Sequence, residues 1–343
     1  MYSVTNNRGF IPQNEQFEDR EMIGEDIKSY KIIEQGEFAY NPARINVGSI
    51  ARYIGSEPCM ISSLYVCFKI SDEIDGSFLM QFLKSPKANF YYNANGEGGV
   101  RIYLFYPNFA RIKTAIPSLS EQRKISSLLS IVDERIATQR RLIEDLEKLK
   151  SSIVDRIFSD TKGEVVKFRD ILEISTQRND GKADYRILSA SQEFGMIERK
   201  NLDIDIKAEA KSVKTYKRVH PGDYILHLRS FQGGLAFAEV EGICSPAYTI
   251  LRPNERLEYG YLKEYFNSSK FIKSLALVTY GIRDGRSINV DEFLDMNISI
   301  HHKDKQTEIV KSLSILSDKL RLEKNILYKY EQQRTYLLNQ LFI

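Results

Sequence analysis

The chain has 343 residues, of which 42% are hydrophobic and 28% charged, and its formal net charge is +3. This length predicts two domains of ordinary size, and the composition is typical of a folded protein and excludes a disordered one. The small net charge excludes a strongly basic, histone-like binder of nucleic acid, and no apolar stretch approaches the roughly 18 residues that cross a bilayer. We therefore expect a cytoplasmic protein.

The first block, residues 1–117, consists of short segments rich in Tyr, Phe, Ile and Val that are separated by glycine turns and short helical segments. This pattern predicts a mixed α+β domain. Cysteines in such strands, Cys59 and Cys67 here and Cys244 later, are expected to be buried, because they lack C-x-x-C spacing and do not pair with any of the four His residues. We expect no metal and no cofactor on this chain.

The stretch F-A-Y-N-P-A-R-I-N-V-G-S-I-A at 38–51 contains the start of N-P-P-Y, the motif of enzymes that methylate the exocyclic amine of adenine. Ala43 and Arg44 stand where that motif has its second proline and its aromatic residue, and the chain has no glycine-rich cofactor loop. Because the missing groups hold the target base and the cofactor, we reject methyl transfer by this chain.

The same stretch offers groups that suit DNA. An arginine fork fits guanine O6 and N7, an Asn or Gln amide can bracket adenine N6 and N7, and a glycine lets the backbone approach phosphate oxygens. The candidate DNA-binding residues of the first block are Arg44, Asn46, Gly48, Ser49 and Arg101. An equally open alternative is that each glycine supplies a turn and each arginine a salt bridge.

A long helix is predicted over 118–160, because its apolar residues alternate four and three apart along a heptad seam. The seam consists of Ile125, Leu129, Val132, Ile136, Ile143, Leu146, Ile153 and Ile157. Gln139 and Lys150 interrupt it, and polar seam residues specify register and partner at a cost in stability.

The second block, residues 161–302, is also of α+β type, and Arg229 precedes Gly233-Gly234 there as Arg44 precedes Gly48. Its candidate DNA-binding residues are Lys217, Arg229, Gln232, Gly233 and Arg286. A basic run from Arg199 to Arg218 could track phosphates, although such runs are more often solvated faces.

Two catalytic motifs bear on the function of this block and of the rest of the chain. The triplet Asp205-Ile206-Lys207 has the D-x-K spacing of many Mg²⁺ nucleases but no convincing upstream acid. The phosphate-binding motif G-x-x-x-x-G-K-[ST] is absent from the sequence, which excludes ATP hydrolysis by that route.

A second long helix, predicted over 303–343, repeats the first at an offset of 184 residues. Its seam consists of Ile309, Leu313, Leu316, Leu320, Leu327, Tyr330, Leu337 and Leu341, with Glu323 and Arg334 in the polar slots of Gln139 and Lys150. We predict that the helices pair as a coiled coil about 50 Å long, and antiparallel pairing would put one block at each end. Ile125 would then lie near Leu341, Ile157 near Ile309 and Gln139 near Glu323.

The duplication extends into the blocks, since Y-K-I-I-E-Q-G-E-F at 30–38 matches Y-K-R-V-H-P-G-D-Y at 216–224. The second block opens with V-V-K-F-R-D-I-L-E-I-S-T-Q-R at 165–178, whereas residues 3–11 already correspond to 189–197. The first block therefore lacks roughly the opening 20 residues. Either the gene begins late or another segment supplies that piece.

With this duplication, three motifs make the chain resemble the specificity subunit of type I restriction-modification enzymes. They are I-P-S-L-S-E-Q-R-K-I at 116–125, the exit from K-L-K to I-F at 148–158, and G-I-C-S-P-A-Y-T-I at 242–250. The resemblance implies two target recognition domains, each reading half of a split site in double-stranded DNA. It also implies that the helix pair docks two modification (methyltransferase) subunits, which bind S-adenosylmethionine and methylate adenine. Restriction subunits would use ATP and Mg²⁺, and this chain would be non-catalytic.

Because the two blocks differ in sequence, an asymmetric site is expected. The chain departs from the family pattern in its shortened first block and in the second helix, whose entry H-H-K-D-K-Q at 301–306 lacks the proline and E-Q. These departures leave open a truncated or decayed coiled-coil adaptor without full DNA recognition. A nuclease that depends on Asp205 is the third hypothesis.

Overall fold

The computed structural model describes residues 1–16, 29–99, 102–159, 163–181, 184–191, 194–201, 213–227, 229–281 and 287–342. The chain forms two compact units: unit 1 comprises Met1–Arg141 with Asn325–Ile343, and unit 2 comprises Leu142–Lys324. Each unit thus combines one predicted block with a part of each long helix, whereas the predicted domain boundaries keep blocks and helices separate.

Both units mix strands with helices, which confirms the predicted α+β class. The strands are β1 (Tyr2–Thr5), β2 (Gly9–Pro12), β3 (Lys31–Ile33), β4 (Phe38–Tyr40), β5 (Ile50–Arg52), β6 (Cys59–Ile61), β7 (Val66–Phe68), β8 (Glu164–Lys167), β9 (Leu172–Ser175), β10 (Leu188–Ser191), β11 (Gly195–Glu198), β12 (Lys217–Val219), β13 (Tyr224–Leu226), β14 (Ala236–Phe237), β15 (Gly242–Cys244), β16 (Thr249–Pro253), β17 (Thr279–Tyr280), β18 (Ser287–Ile288) and β19 (Asn297–Ile300). The helices are α1 (Gln13–Gln16), α2 (Gly76–Leu83), α3 (Pro86–Asn95), α4 (Tyr106–Phe109), α5 (Leu119–Ile157), α6 (Ser230–Gly233), α7 (Ser269–Leu275), α8 (Val290–Leu294) and α9 (Lys303–Leu341).

The described residues of unit 1 form two sheets. One has the strand order β2-β1-β6-β3, in which β1 and β6 are parallel and the other neighbours antiparallel. The other is antiparallel with the order β5-β4-β7. Phe38 and Tyr40 of β4 pack with Phe78 of α2 and Tyr92 of α3 in one apolar cluster. Burial of these large aromatic side chains stabilises this block.

Unit 2 repeats this plan and adds to it. β14, β13 and β16 correspond to β5, β4 and β7, but β9 is added beside β16 to give the order β14-β13-β16-β9. β8 pairs antiparallel with β19. β8 and β9 belong to the opening residues of the second block, for which the described part of unit 1 has no counterpart.

The two long helices follow the predicted seam. α5 and α9 each have 39 residues. Their buried seam residues are Leu129, Val132, Ile136, Gln139, Ile143, Ile309, Leu313, Leu320 and Glu323, and the remaining seam residues, Ile125 and Leu316 among them, are half-buried. The sequence period therefore identified the side of each helix that is covered.

Within unit 1, α5 and α9 run antiparallel. Nη2 of Arg140 lies 2.6 Å from Oε1 of Glu331, and Asp133, two turns earlier in α5, pairs with Arg334, one turn later in α9. Ile125 and Leu341 pack against the same apolar cluster, as predicted.

Unit 2 shows the same direction. Oε1 of Glu147 lies 2.8 Å from Nζ of Lys324. Further along, Val154 of α5 shares an apolar cluster with Ile309 of α9, and Ile157 packs against that cluster. The antiparallel pairing is thereby confirmed inside each unit, whereas the predicted proximity of Gln139 and Glu323 joins residues of different units and stays a prediction.

The cationic seam residue of unit 1 is held by the block of the same unit. Arg334 pairs with Asp133 and donates from Nη2 to Oε1 of Gln81 in α2 at 3.3 Å. Gln81 in turn donates from Nε2 to Oδ2 of Asp133 at 3.0 Å. The three side chains therefore join both long helices to α2.

The cationic seam residue of unit 2 is held in the same way with different charges. Nζ of Lys150 lies 2.6 Å from Oε2 of Glu264, and Ser317 donates to Oε1 of Glu264 at 3.0 Å. Ser317 and Glu264 occupy the repeat positions of Asp133 and Gln81. The acidic partner of the seam cation therefore lies on a long helix in unit 1 and in the block in unit 2.

A buried glutamine fixes the start of α5. Gln122 donates from Nε2 to the carbonyl oxygens of Glu73 at 2.9 Å and Pro117 at 3.0 Å, and its Oε1 accepts the N–H of Asp75 at 2.7 Å. All three partners are backbone groups just before α2 or α5. The Gln122 side chain therefore provides hydrogen-bond partners for backbone groups that lie outside the two helices. This agrees with the rule that buried polar groups are hydrogen-bonded.

Gln306 has the same function at the start of α9. Its Nε2 donates to the carbonyl oxygens of Arg256 at 3.0 Å and His301 at 2.8 Å, and its Oε1 accepts the N–H of Glu258 at 2.8 Å. The second helix was expected to lack the E-Q pair, and this expectation is wrong for the glutamine. Gln306 stands at the position of Gln122, and only the preceding glutamate is replaced, by Lys305.

Two negative findings apply to the part of the chain that the structure describes. None of its helices is long and apolar enough to cross a membrane. It also contains no group of three or more His, Cys, Asp or Glu residues that could hold a metal ion. The cysteines are free thiols in β6, β7 and β15, where Cys59 and Cys244 are buried and Cys67 is half-buried.

Replacing Gln122 by Leu should destabilise unit 1 by roughly 2–4 kcal/mol, because one N–H and two carbonyl groups at a partly buried junction lose their partner. Urea unfolding followed by circular dichroism measures the effect. Gln333→Leu is the matched control, since Gln333 is exposed on α9 and should change stability by less than about 0.5 kcal/mol. Equal effects of the two substitutions would show that the Gln122 bonds contribute nothing.

Candidate nucleic-acid interface

The candidate arginines lie in equivalent loops, each of which joins two antiparallel strands. In unit 1 the loop from β4 to β5 contains a 3₁₀ helix, Ile45–Val47, which begins after Arg44 and ends at Gly48. In unit 2 the loop from β13 to β14 contains α6, which begins after Arg229 and ends at Gly234. The arginine and the glycine of each block therefore stand at the two ends of one short helical turn.

The glycines are required by the fold of these loops. Gly48 has φ +94° and Gly234 has φ +78°, which is the left-handed region that favours glycine. A Cβ on Gly48 would lie 2.0 Å from Oδ1 of Asn6, and a Cβ on Gly234 would lie 2.1 Å from the carbonyl oxygen of Phe266. The counterpart of Gly48 is thus Gly234, and not Gly233, which is the last residue of α6.

The arginines are free to reach a ligand. Arg44 and Arg229 are exposed, and neither guanidinium has a hydrogen bond or an ion pair with another described residue. Gln232 is also exposed, while Asn46 donates from Nδ2 to Oδ1 of Asn93 at 3.4 Å. Each loop therefore presents an unpaired guanidinium next to an amide side chain, the two groups that read purine edges.

Two other candidates are already bonded inside the protein. Ser49 is buried, and its hydroxyl donates to the carbonyl oxygen of Val4 at 2.8 Å. Lys217 is half-buried, and its Nζ donates to the carbonyl oxygen of Tyr248 at 2.6 Å. Their polar groups support the loops and sheets, so DNA contact by them would require these bonds to break. Arg101 and Arg286 lie outside the described residues.

The described part of the basic run is bonded mainly within unit 2. Arg199 donates to the hydroxyls of Ser189 at 3.1 Å and Tyr216 at 3.2 Å, and Lys200 pairs with Glu198 at 2.5 Å. These cations serve the fold of the block, so the run is a weaker candidate for a phosphate track than its sequence indicates. Lys207, Lys211 and the D-x-K triplet lie outside the described residues.

Arg218 belongs to a polar cluster that the sequence did not indicate. Its guanidinium bonds the hydroxyl of Tyr185 and the carboxylate of Glu241, and it lies over the Tyr185 ring at 3.7 Å from the centroid. A desolvated arginine in such a cation–π contact is held by its surroundings. The cluster therefore fixes β12 and its neighbours.

A side-chain acceptor starts the turn in both loops. Oδ1 of Asn41 accepts the N–H of Ala43 at 3.0 Å, and Nδ1 of His227 accepts the N–H of Arg229 at 3.3 Å. The acceptor bonds the residue two positions later in each case, as in an Asx turn. This bond gives Asn41 a structural function and accounts for the partial N-P-P-Y pattern.

Comparison with known proteins relates part of this chain to a protein family. Residues 13–148 match the family model of the type I restriction modification DNA specificity domain. The type I restriction enzyme MjaVIII specificity subunit of Methanocaldococcus jannaschii is 23% identical over 337 aligned residues, which cover 86% of this chain and 76% of that protein.

Two solved structures share the fold. One chain comes from work on complex assembly and conformational transition of the type I restriction-modification system; it has a TM-score of 0.57 and 17% identity and covers 90% of this chain and 82% of its own. The type I S subunit from M. genitalium has a TM-score of 0.53 and 14% identity and covers 91% of this chain and 84% of its own.

Residues 13–148 therefore match a DNA specificity domain, and the solved structures share the fold of the chain. Over most of its length the chain is similar to a specificity subunit of a type I restriction-modification system, which confirms the resemblance that its motifs predicted.

The stability of the loop from β13 to β14 should depend on pH, because this loop contains His227. Burial, and after it the neighbouring Arg229, lower the pKa of the imidazole below its ordinary value of 6.5. Between the folded pKa and about pH 6.5 the unfolded chain binds more protons, so stability rises with pH across that window. The contribution is complete above about pH 6.5 and is lost as the pH falls through the folded pKa.

An NMR titration should therefore show the His227 ring titrating below pH 6.5. His227→Gln should flatten the pH dependence of unfolding in that window, because an amide oxygen can accept the Arg229 N–H without titrating. His302→Gln, which replaces an exposed imidazole, is the control for the loss of a histidine outside this loop. Titration of His227 at or above its ordinary pKa would contradict the account.

Proposed function

We propose that this specificity subunit reads a bipartite, asymmetric site in double-stranded DNA, one half-site through the loop of Arg44 and the other through the loop of Arg229. The spacing of the half-sites would be set by the paired helices α5 and α9. The chain has no catalytic step of its own in this proposal. S-adenosylmethionine, ATP and Mg²⁺ are used by the modification and restriction subunits that it brings to the DNA.

The observation that carries the proposal is the repetition of an unpaired arginine in equivalent loops. Arg44 and Arg229 each begin a short helical turn that a glycine ends, and each turn is started by a side-chain acceptor. The supporting geometry is shared, but the amide side chains differ, half-buried Asn46 in one loop and exposed Gln232 in the other. Loops that have the same turn geometry but different amide side chains favour recognition of two different half-sites.

The outer faces of the long helices support docking of the modification subunits. They expose large apolar side chains outside the seam, including Leu128, Ile131, Leu142, Leu149, Ile315 and Leu322. Ile131, 48% exposed, and Ile315, 63% exposed, are repeat equivalents. Exposed apolar residues that recur in both halves favour two similar partner sites, one in each half of the repeat.

The test begins with sequencing of methylated adenines in a host that expresses this chain with its methyltransferase partner, which identifies the DNA site. Binding of that DNA to the complex is then measured for single variants. Arg44→Ala and Arg229→Ala should each weaken binding by about 1–3 kcal/mol if the guanidinium reads a base. Each variant should relax recognition in one half-site only, and in opposite halves.

Arg321→Ala is the matched control, since Arg321 is exposed on α9, pairs with Asp318 and belongs to neither loop. It should leave affinity and its salt dependence unchanged. If the loop variants behave like this control, the chain is a coiled-coil adaptor without DNA reading by these loops. A uniform loss with a salt slope reduced by about 1 would assign the arginines to phosphates instead.

A further inference from the structure

The opening segment of the second block covers a large apolar area in unit 2. β8 pairs with β19, β9 pairs with β16, and the residues between them enter the core, where Phe168 and Ile171 are fully buried. The ring of Phe168 stacks on Phe293 of α8 with centroids 4.9 Å apart. One segment, 164–175, thus completes two sheets and the core between them.

Among the described residues, unit 1 has the counterparts of both partner strands but none of the segment itself. β7, the counterpart of β16, is an edge strand in the sheet order β5-β4-β7. Residues 113–116, the counterpart of β19 at the repeat offset, form no strand. Among the residues that the structure describes, neither has a strand on the side that β9 or β8 covers in unit 2. We call β7, residues 113–116 and Phe109, the counterpart of Phe293, the open edge.

Side-chain exposure agrees with this comparison. Ile300 in β19 is 4% exposed, whereas its counterpart Ile116 is 48% exposed. Leu251 in β16 is fully buried, whereas its counterpart Phe68 is only half-buried. The open edge therefore combines unpaired strand backbone with uncovered apolar side chains, which is the surface that an added strand binds.

Charge at the open edge distinguishes between possible occupants. In unit 2, Oδ1 of Asp295 accepts hydrogen bonds from Nζ of Lys167 at 3.0 Å and from Nε of Arg169 at 2.9 Å. The counterpart of Asp295 in unit 1 is Arg111, which is exposed. A second copy of this chain would bring Lys167 and Arg169 against Arg111, and like charges in such a contact are repulsive.

We propose that the open edge binds an extended segment of another polypeptide. This segment has the apolar pattern of residues 164–175, V-V-x-F-x-x-I-L-x-I, with acidic residues where unit 2 has Lys167 and Arg169. It adds one strand to β7 and one to residues 113–116, covers Ile116 and Phe68, and pairs with Arg111. The interaction does not depend on DNA, so its test is separate from that of DNA reading.

Labelled peptides and the full chain test this directly by fluorescence anisotropy. The probe is the peptide of residues 164–175 with Lys167→Glu and Arg169→Glu, and the reference is the unchanged peptide. The acidic peptide should bind at least about tenfold more tightly, because it faces Arg111. On the Arg111→Asp variant of the chain the preference should reverse.

Two controls decide whether binding uses the apolar side of the open edge. Phe168→Asp and Leu172→Asp in the acidic peptide should abolish binding, and Ile116→Lys in the chain should weaken it. Ile54→Lys, at a side chain of unit 1 that is 80% exposed, should not. Peptides that bind equally, or a preference that does not reverse with Arg111→Asp, would overturn the proposal. So would a dimer of the chain that Ile116→Lys dissociates, because the occupant would then be a second copy.

Discussion

Apolar packing between antiparallel segments of α5 and α9 is the interaction on which both units depend. In unit 1, Leu129 and Leu338 belong to the core that contains the block, and in unit 2, Val154 and Ile309 do the same. Each fully buried side chain of this size contributes roughly 1.5–3 kcal/mol. Helices with exposed polar faces gain most of their stability from such packing, so loss of the seam would open both cores together.

The two halves use one supporting plan with different surface groups. Gln122 and Gln306 make the same three backbone bonds, and a cation in the seam is fixed to the block in each unit. The acidic partner of that cation is Asp133 in one unit and Glu264 in the other, so the plan tolerates redistribution of charge. The loops share their turns in the same way, so their exposed side chains can differ while the backbone that supports them stays the same.

Local periodicity made part of this structure predictable. The seam was predictable because its spacing lies within one helix, and the repeated order of an arginine before a glycine related Arg44 to Arg229. The bonds of Ser49 and Lys217 were not predictable, since their partners are strand carbonyl groups far away in sequence. The glycine turns were recognised, but the close neighbours of Gly48 depend on how β1 and β5 pack. Gln306 could have been found, because it stands at the repeat position of Gln122.

The most direct test of this account is a chemical cross-link between the long helices within unit 1. In a chain with its native cysteines replaced by alanine, Arg140→Cys and Glu331→Cys should be joined within one chain by a short bis-maleimide reagent, because the native side chains meet end to end at 2.6 Å and the reagent spans their combined length. Arg140→Cys with Gln333→Cys, on an exposed position two residues further along α9, should not. Equal cross-linking of both pairs, or of neither, would contradict antiparallel packing along the seam.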